Sequence, residues 1–309
     1  MIQTIIAALL PIVVTLCLGF FAGWHKDFDI KQGSTLNKMV MLYALPLTLF
    51  AGMLGIERSV LLEQGSMASL IFIGMVVSYL IVLFLSYFIF KKSLKVSALL
   101  ALAIAGPAVP FVGVPVLGFL YGDLSTVPIA LCSIIMNLIQ VPITLFILSQ
   151  DDNTSNSSNN VIQNLKETIK EPVIWAPICA FILLIIGIPI PKDISQSLLL
   201  LGHATGGVAL FASGVILYSY HIKFDLTIAL SVLIKNLVIP GLVLLGGIWY
   251  GISPQTLNIS VISLAIPTAS ICVILAVQYK TAEQEMSSIL FFSTIFSIIT
   301  MGSFLAYLH

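Results

Sequence analysis

The chain has 309 residues, of which 59% are hydrophobic and only 8% are charged, and its mean hydropathy is +1.12. A soluble globular domain carries about 25% charged residues, so this composition excludes an ordinary soluble protein. The formal net charge is zero, which gives no reason to expect a nucleic-acid partner. Several apolar runs are long enough to cross a bilayer as helices. We therefore expect an all-α polytopic membrane protein with the lipid bilayer as its surroundings.

Ten membrane spans fit the sequence. They cover residues 2–24, 34–55, 66–90, 99–121, 125–149, 173–190, 195–220, 226–250, 259–279 and 285–308. Residues 150–160 read QDDNTSNSSNN, contain no apolar side chain and predict a solvated segment. The predicted organisation is a first five-helix unit at residues 1–149, a cytoplasmic polar linker at 150–171 and a second five-helix unit at 172–309.

Two of these spans, 99–121 and 259–279, are interrupted near their middles. The interrupting residues are Gly106, Pro107, Pro110, Gly113 and Pro115 in the first span and Pro267 in the second. A proline inside a helix removes a backbone hydrogen bond and clashes with the preceding turn. In hydrocarbon, the freed groups are tolerated only when they are buried in protein or line a wet cavity. Each span is therefore predicted to form two half-helices that meet near mid-membrane, although simple structural kinks are the alternative.

Short matches recur in the same order in the two halves, about 160 residues apart. The tripeptide LAI at 102–104 returns at 264–266, and LFA at 49–51 returns at 210–212. Because five spans is an odd number, the second copy enters the membrane from the opposite face. This pattern predicts two inverted repeats whose broken fourth and ninth helices cross, which is typical of the substrate site of secondary transporters.

The basic residues of the predicted loops are distributed unequally. Loops after odd-numbered spans hold Lys26, Lys31, Lys91, Lys92, Lys95, Lys166, Lys170, Lys223 and Lys280, whereas those after even-numbered spans hold Arg58 and Lys192. Lysine and arginine concentrate in cytoplasmic loops. We therefore expect a multi-pass protein of the cell membrane with both termini outside and the linker inside.

Three stretches resemble the auxin efflux carrier family of secondary transporters, which includes plant PIN-type carriers and bacterial malate and malonate permeases. They are LNKMVMLYALP at 36–46, FVGVP at 111–115, and AIP at 265–267 followed by AVQY at 276–279. The likeness covers the whole chain. It implies ten helices, two inverted repeats crossing at prolines, a transport unit that moves against a scaffold, and a homodimer as the assembly to test.

One position departs from the family pattern. Many members carry an asparagine just before the glycine-aromatic stretch of the fourth helix, where this sequence has Ala108. The run GPAVPF at 106–111 instead resembles the malonate-carrier branch. The resemblance therefore favours a small carboxylate over an auxin-like substrate.

The half-helices that begin at the two breaks are predicted to bind an anion. Helix N-termini expose unpaired N–H groups and about half a positive charge, which favours a carboxylate without a buried cation. The predicted substrate-binding residues are Pro107, Val109, Pro110, Phe111 and Gly113 at the first break and Pro267, Thr268, Ala269 and Ser270 at the second. Asn137 and Gln140, three residues apart in the fifth span, are further candidates that could equally make interhelical hydrogen bonds.

Two titratable side chains lie within predicted spans. A lysine at the centre of a span costs at least about 2.5 to 3.5 kcal/mol. Lys235 is therefore predicted either to act as a counter-charge or coupling group or to snorkel to the cytoplasmic interface. His203 is predicted either to carry a coupling proton or to pack as a neutral ring. No resident cofactor or metal is expected, and the coupling ion, H⁺ or Na⁺, is left open.

These patterns favour a secondary active transporter of a small organic anion, in the first place a dicarboxylate such as malate or malonate, that works by alternating access. The alternatives are an auxin-like or other monocarboxylate efflux carrier and an anion channel of the same fold. An enzyme is disfavoured because the sequence has no HExxH or GxSxG motif and no pair of carboxylates within spans.

Overall fold

The computed structural model describes residues 2–55, 65–150, 170–187, 191–220 and 224–308, and these ranges are helical apart from short connections and one isolated bridge. The helices are α1 (Ile2–Trp24), α2 (Ile30–Leu54), α3 (Gly65–Ile89), α4 (Leu94–Ala105), α5 (Val114–Tyr121), α6 (Val127–Leu148), α7 (Pro172–Ile186), α8 (Lys192–Gly202), α9 (Ala204–Tyr220), α10 (Leu226–Trp249), α11 (Pro254–Ala265), α12 (Ile271–Gln278) and α13 (Glu283–Leu308). Most of the predicted linker, residues 151–169, lies outside the described ranges, so the boundary between the two units stays a prediction.

Six stretches of the described chain are long and apolar enough to cross a membrane. They are Ile30–Leu54, Gly65–Ile89, Val127–Leu148, Asp193–Ser219, Leu226–Trp249 and Glu283–Leu308. Shorter apolar helices accompany them, including α4 and α7. The all-α, multi-pass character expected from composition is confirmed.

Both proline-containing spans are interrupted in the structure. Helix α4 ends at Ala105, and a π-helical turn at Val109–Gly113 leads into α5. Gly106 and Ile266, the residues before the first proline of each break, have extended backbone with ψ of 105° and 137°. A following proline disfavours the α region for the residue before it. The prolines thus end α4 and α11 where the sequence predicts.

The extended segments at the two breaks pair with each other. An isolated antiparallel bridge joins them. The N–H of Ala108 donates to the carbonyl of Pro267 at 2.8 Å, and the N–H of Ala269 donates to the carbonyl of Gly106 at 3.0 Å. Each break therefore supplies hydrogen-bond partners for the other, as buried non-helical backbone in a membrane requires.

Helices α1 and α9 pack along each other through two glycines. A Cβ on Gly19 would overlap the carbonyl of Phe211, and a Cβ on Gly214 would overlap the carbonyl of Leu16. Small residues let helix backbones approach closely where lipid supplies no hydrophobic driving force. Helix α7 packs against α2, which is a second contact between the two halves of the chain.

The seventh predicted span corresponds to the stretch Asp193–Ser219, which contains a one-residue turn at His203. Helix α8 ends at Gly202, α9 begins after it, and His203 lies between them with an exposed side chain. The hydroxyl of Thr48 donates to the carbonyl of Gly202 at 2.7 Å and lies 2.9 Å from the hydroxyl of Thr205. A Cβ at position 202 would come within 2.9 Å of that hydroxyl, so this contact requires a glycine there.

Candidate anion site at the crossing of the two interrupted helices

The first break leaves the carbonyl of Ala103 without its helical donor. In a continuous helix that carbonyl would accept from residue 107, but Pro107 has no N–H. The hydroxyl of Thr268 donates to it instead, at 2.9 Å. The N–H of Thr268 donates to the hydroxyl of Ser293 at 3.1 Å. Thr268 is predicted to bind substrate, yet both of its donors are engaged in holding the crossing together.

The last carbonyl of α4 receives a side-chain donor from α6. The Nε2 group of Gln140 donates to the carbonyl of Ala105 at 3.3 Å and to the carbonyl of Met75 at 3.0 Å. Gln140 is fully buried, in the π-helical turn Met136–Gln140. The sequence left two roles open for Gln140, and the structure shows it making interhelical hydrogen bonds.

Lys235 caps the corresponding end of α11. Its Nζ donates to the carbonyl of Leu264 at 3.1 Å, and only 1% of the residue is exposed. The carbonyl end of a helix carries partial negative charge, so the ammonium lies at a favourable pole. Because its side chain is enclosed by protein, Lys235 does not snorkel to the interface.

Asn236, the next residue along the chain, holds the second break from another side. Its Nδ2 donates to the carbonyl of Ser293 at 2.8 Å, and its Oδ1 accepts from the Ser293 hydroxyl at 2.8 Å. The same hydroxyl accepts from the Thr268 N–H. Sequence reasoning missed Asn236 and Ser293. The available signal was the presence of an amide beside Lys235 in an otherwise apolar span.

A cavity of about 30 Å³ lies at the crossing, between the second break and α6. Its polar wall includes the side chains of Asn137, Thr205 and Ser270, and most of the remaining lining is apolar. A space of this size admits water but not a dicarboxylate. A dicarboxylate therefore fits only when part of the wall moves.

The start of α12 presents unpaired donors to this cavity. The amide N–H groups of Ser270 and Ile271 have no backbone acceptor within the described chain, because the first N–H groups of a helix lack a preceding turn. Within the same ranges, the hydroxyl of Ser270 and the amide of Asn137 make no hydrogen bond, although both residues are at least nine-tenths buried. Free donors at the positive end of a helix dipole are the arrangement that the sequence predicts for an anion site.

The remaining predicted site residues lie near this position but offer fewer donors. Val109 and Ala269 line the cavity, while their N–H groups donate to the carbonyls of Pro107 and Gly106. A Cβ at Gly113 would lie 3.1 Å from Ile266 Cδ1, so that glycine serves close packing. Two further predictions, the side chains of Pro110 and Phe111, fall outside the described part of the structure. The second break therefore supplies most of the described anion position.

Comparison with known proteins agrees with this geometry. Residues 4–305 match the family described as Membrane transport protein, and because the match covers nearly the whole chain, the chain belongs to that family. Membership supports a transport protein rather than an enzyme and confirms the resemblance to auxin efflux carriers at the level of the family. It does not extend to the malate and malonate branch.

The individual relatives are bacterial transporters of similar length. The chain is similar to the "Uncharacterized transporter YfdV" of Escherichia coli strain K12, of Escherichia coli O157:H7 and of Shigella flexneri. Each is 31% identical over 302 residues, covering 97% of this chain and 96% of the relative. The names of these relatives support a transport function and specify no substrate.

Proposed function

We propose that this protein is a secondary active transporter that carries a small organic anion, in the first place a dicarboxylate such as malonate or malate, across the cell membrane by alternating access. One observation carries the proposal. Ser270 and Ile271, whose N–H groups have no backbone acceptor in the described ranges, line a small cavity between the two interrupted helices. Carboxylate oxygens accept hydrogen bonds and carry the charge that a helix N-terminus favours.

The walls of the cavity support a short substrate. Leu45, Leu49 and Met136 contribute apolar surface beside the polar groups, which suits a few carbon atoms between two carboxylates. The Lys235 ammonium beside the same break supplies positive charge for a dianion. An auxin-like aromatic acid would require a much larger rearrangement of this lining.

We further propose that the helices form two inverted five-helix repeats. The packing of α1 against α9 corresponds, with the halves exchanged, to the packing of α7 against α2. The π-helical turns Ile73–Val77 and Ile234–Val238 occupy corresponding positions in the two halves. This correspondence supports an approximate two-fold relation like the one inferred from the repeated tripeptides.

Alternating access follows from where the cavity lies in this arrangement. Helices α2 and α9 contribute Leu45 and Thr205 to one side of it, and α6 and the second break contribute Asn137 and Ser270 to the other. A displacement of the group containing α2 and α9 relative to the group containing the breaks would open the cavity. We propose that opposite displacements expose it to opposite faces of the membrane.

The loop lysines support an orientation with both termini outside the cell, and the family supports a homodimer as the assembly to test. Single cysteines placed at Ser253 and at Lys280, in connections predicted to lie on opposite faces, should react with an impermeant maleimide from opposite sides of the membrane. Reaction of both from one side would contradict the orientation. The mass of the detergent-solubilised protein, measured by light scattering, tests the dimer.

Counterflow in proteoliposomes tests the transport proposal. Vesicles loaded with unlabelled malonate or malate should transiently accumulate the labelled anion, and vesicles without protein should not. Preference for indole-3-acetate would indicate the monocarboxylate alternative, and large anion currents without counterflow would indicate a channel. Failure of every organic anion tested to exchange would overturn the proposal.

A further inference from the structure

Lys235 is a buried cation with one described hydrogen-bond partner. An ammonium has three N–H donors, and the carbonyl of Leu264 accepts one of them. Helices α3, α6, α10 and α11 contain no carboxylate in their sequences. A charge enclosed without a counter-ion costs several kcal/mol even after relaxation. The protonated form of Lys235 is therefore stable in this site only when a negative charge lies nearby.

The other titratable groups on the packed helices do not supply that charge. Cys132 of α6 lies near Lys235, but it is a fully buried neutral thiol. The charged residues of α4 and α13, Lys95, Glu283 and Glu285, lie in the first turns of these helices. Of these, Glu285 lies 3.8 Å from the ammonium of Lys92. An anion in the cavity, which Cys132 also lines, is the counter-charge that the described surroundings lack.

The two breaks are capped in the same way but by different chemistry. Gln140 caps the end of α4 from one π-helical turn, and Lys235 caps the end of α11 from another. An amide keeps its charge state, whereas an amine can gain or lose a proton. The crossing thus contains one fixed cap and one cap that can change charge.

Hydrogen bonds connect Lys235 and its neighbour to the segment that carries the anion position. Leu264, whose carbonyl it binds, begins the connection that runs through the second break to Ser270. The neighbouring Asn236 binds Ser293, whose hydroxyl accepts from the Thr268 N–H on that connection. A change of charge on Lys235 therefore acts on the segment that presents the anion-binding donors.

We propose that Lys235 carries a proton together with the anion, so that the protein is a proton–anion symporter. This inference rests on the proposed transport function. With an anion bound, the ammonium is stabilised by its charge. After the anion leaves, Nζ gives one proton to water on the side to which the cavity is open, and the empty carrier returns with a neutral amine. One proton moves with each anion, and a dianion transfers one net negative charge per cycle.

Proteoliposomes that contain the pH dye pyranine test this inference with malonate as the probe. Wild-type protein should acidify the lumen as malonate enters, one proton for each malonate, and an inside-positive potential should accelerate net uptake. Replacement of Na⁺ by choline should change nothing. Protein-free vesicles correct for passive entry of malonic acid.

Three variants sharpen the test. Lys235→Gln keeps a donor for the Leu264 carbonyl, as Gln140 does for Ala105, and should take up malonate slowly without acidifying the lumen. Lys235→Arg keeps a permanent charge and should exchange malonate without net uptake. Lys280→Gln, which changes an exposed lysine, should keep the wild-type ratio of protons to malonate.

The outcomes separate the two proposals. Net malonate uptake by the wild-type protein without acidification, dependence on Na⁺, or a wild-type proton ratio in Lys235→Gln would overturn the inference and leave transport standing. Absence of exchange for every organic anion would overturn the transport function and the inference with it. If Lys235→Gln fails to give a monodisperse gel-filtration peak, the wild-type proton ratio and Lys235→Arg decide the question.

Discussion

Pro107 and Thr268 face each other in the antiparallel bridge at the crossing, and the Thr268 hydroxyl donates to the carbonyl of Ala103, which Pro107 is unable to serve. The defect that a proline introduces into one interrupted helix is thus repaired by the residue that follows the proline of the other. This reciprocity explains how polar backbone is accommodated at the centre of an apolar protein. The stability of the crossing is therefore expected to depend on single donor groups such as the Thr268 hydroxyl.

The variant Thr268→Val should destabilise the protein. Valine preserves the shape but removes the hydroxyl, which leaves the Ala103 carbonyl buried without a donor at a cost of about 1–3 kcal/mol. We expect a lower thermal unfolding temperature in detergent, measured by intrinsic fluorescence. Thr268→Ser keeps the hydroxyl and should unfold near the wild-type temperature. Equal stability of the valine and serine variants would show that the bond to Ala103 is dispensable.

The variant Pro267→Ala should fold but bind the anion poorly. Without the proline, which costs about 3 kcal/mol inside a helix, α11 can continue through the break and recapture the N–H groups at Ser270 and Ile271. Loss of one hydrogen bond to a charged acceptor, about 1.5–3 kcal/mol, weakens binding about tenfold or more. Pro254→Ala, in the first turn of α11 where proline is tolerated, should retain wild-type affinity in counterflow. Normal affinity in Pro267→Ala would place the anion elsewhere.

The variant Ser270→Ala tests the side-chain donor of the site. Its hydroxyl has no partner in the described ranges, so we expect little change in stability and a rise of about tenfold in the malonate concentration for half-maximal exchange. Ser263→Ala is a matched control, because the Ser263 hydroxyl donates to the Ile259 carbonyl within its own helix. Similar kinetics of the two alanine variants would remove Ser270 from the site.

The variant Gly214→Ala should weaken the packing of α1 against α9. The added methyl would overlap the carbonyl of Leu16, and overpacking of this kind costs about 1–3 kcal/mol. Gly207→Ala on the same helix meets no atom within 4 Å and should be neutral or slightly stabilising. Thermal unfolding of the two variants in detergent compares them directly. Equal unfolding temperatures would contradict the close approach of α1 and α9.

The sequence was sufficient to locate both interruptions, because proline acts on its own backbone and on the residue before it. Pro107 and Pro267 end α4 and α11 by a local steric effect that needs no knowledge of the partner helix. The overall apolar character likewise predicted a multi-pass helical protein. The family resemblance seen in the sequence agrees with the family match over residues 4–305.

The hydrogen-bond partners at the site were beyond sequence reasoning. Thr268 looked like a substrate contact because nothing local shows that a carbonyl 165 residues earlier needs its hydroxyl. The acceptor for Lys235 is a backbone carbonyl, which every residue possesses and which therefore leaves no sequence signal. The π-helical turn that places Lys235 and Asn236 also has no local signature. The hydrogen bond from Thr48 to the Gly202 carbonyl joins two helices that the sequence does not pair.

The bonds across the crossing have a mechanical consequence. Pulling the two interrupted helices apart would break the Ala108–Pro267 and Ala269–Gly106 hydrogen bonds in an apolar interior, where an unsatisfied backbone group costs several kcal/mol. The two interrupted helices are therefore expected to move together as one rigid unit. The gates that admit and release substrate are then expected in the surrounding helices, which would slide relative to this pair.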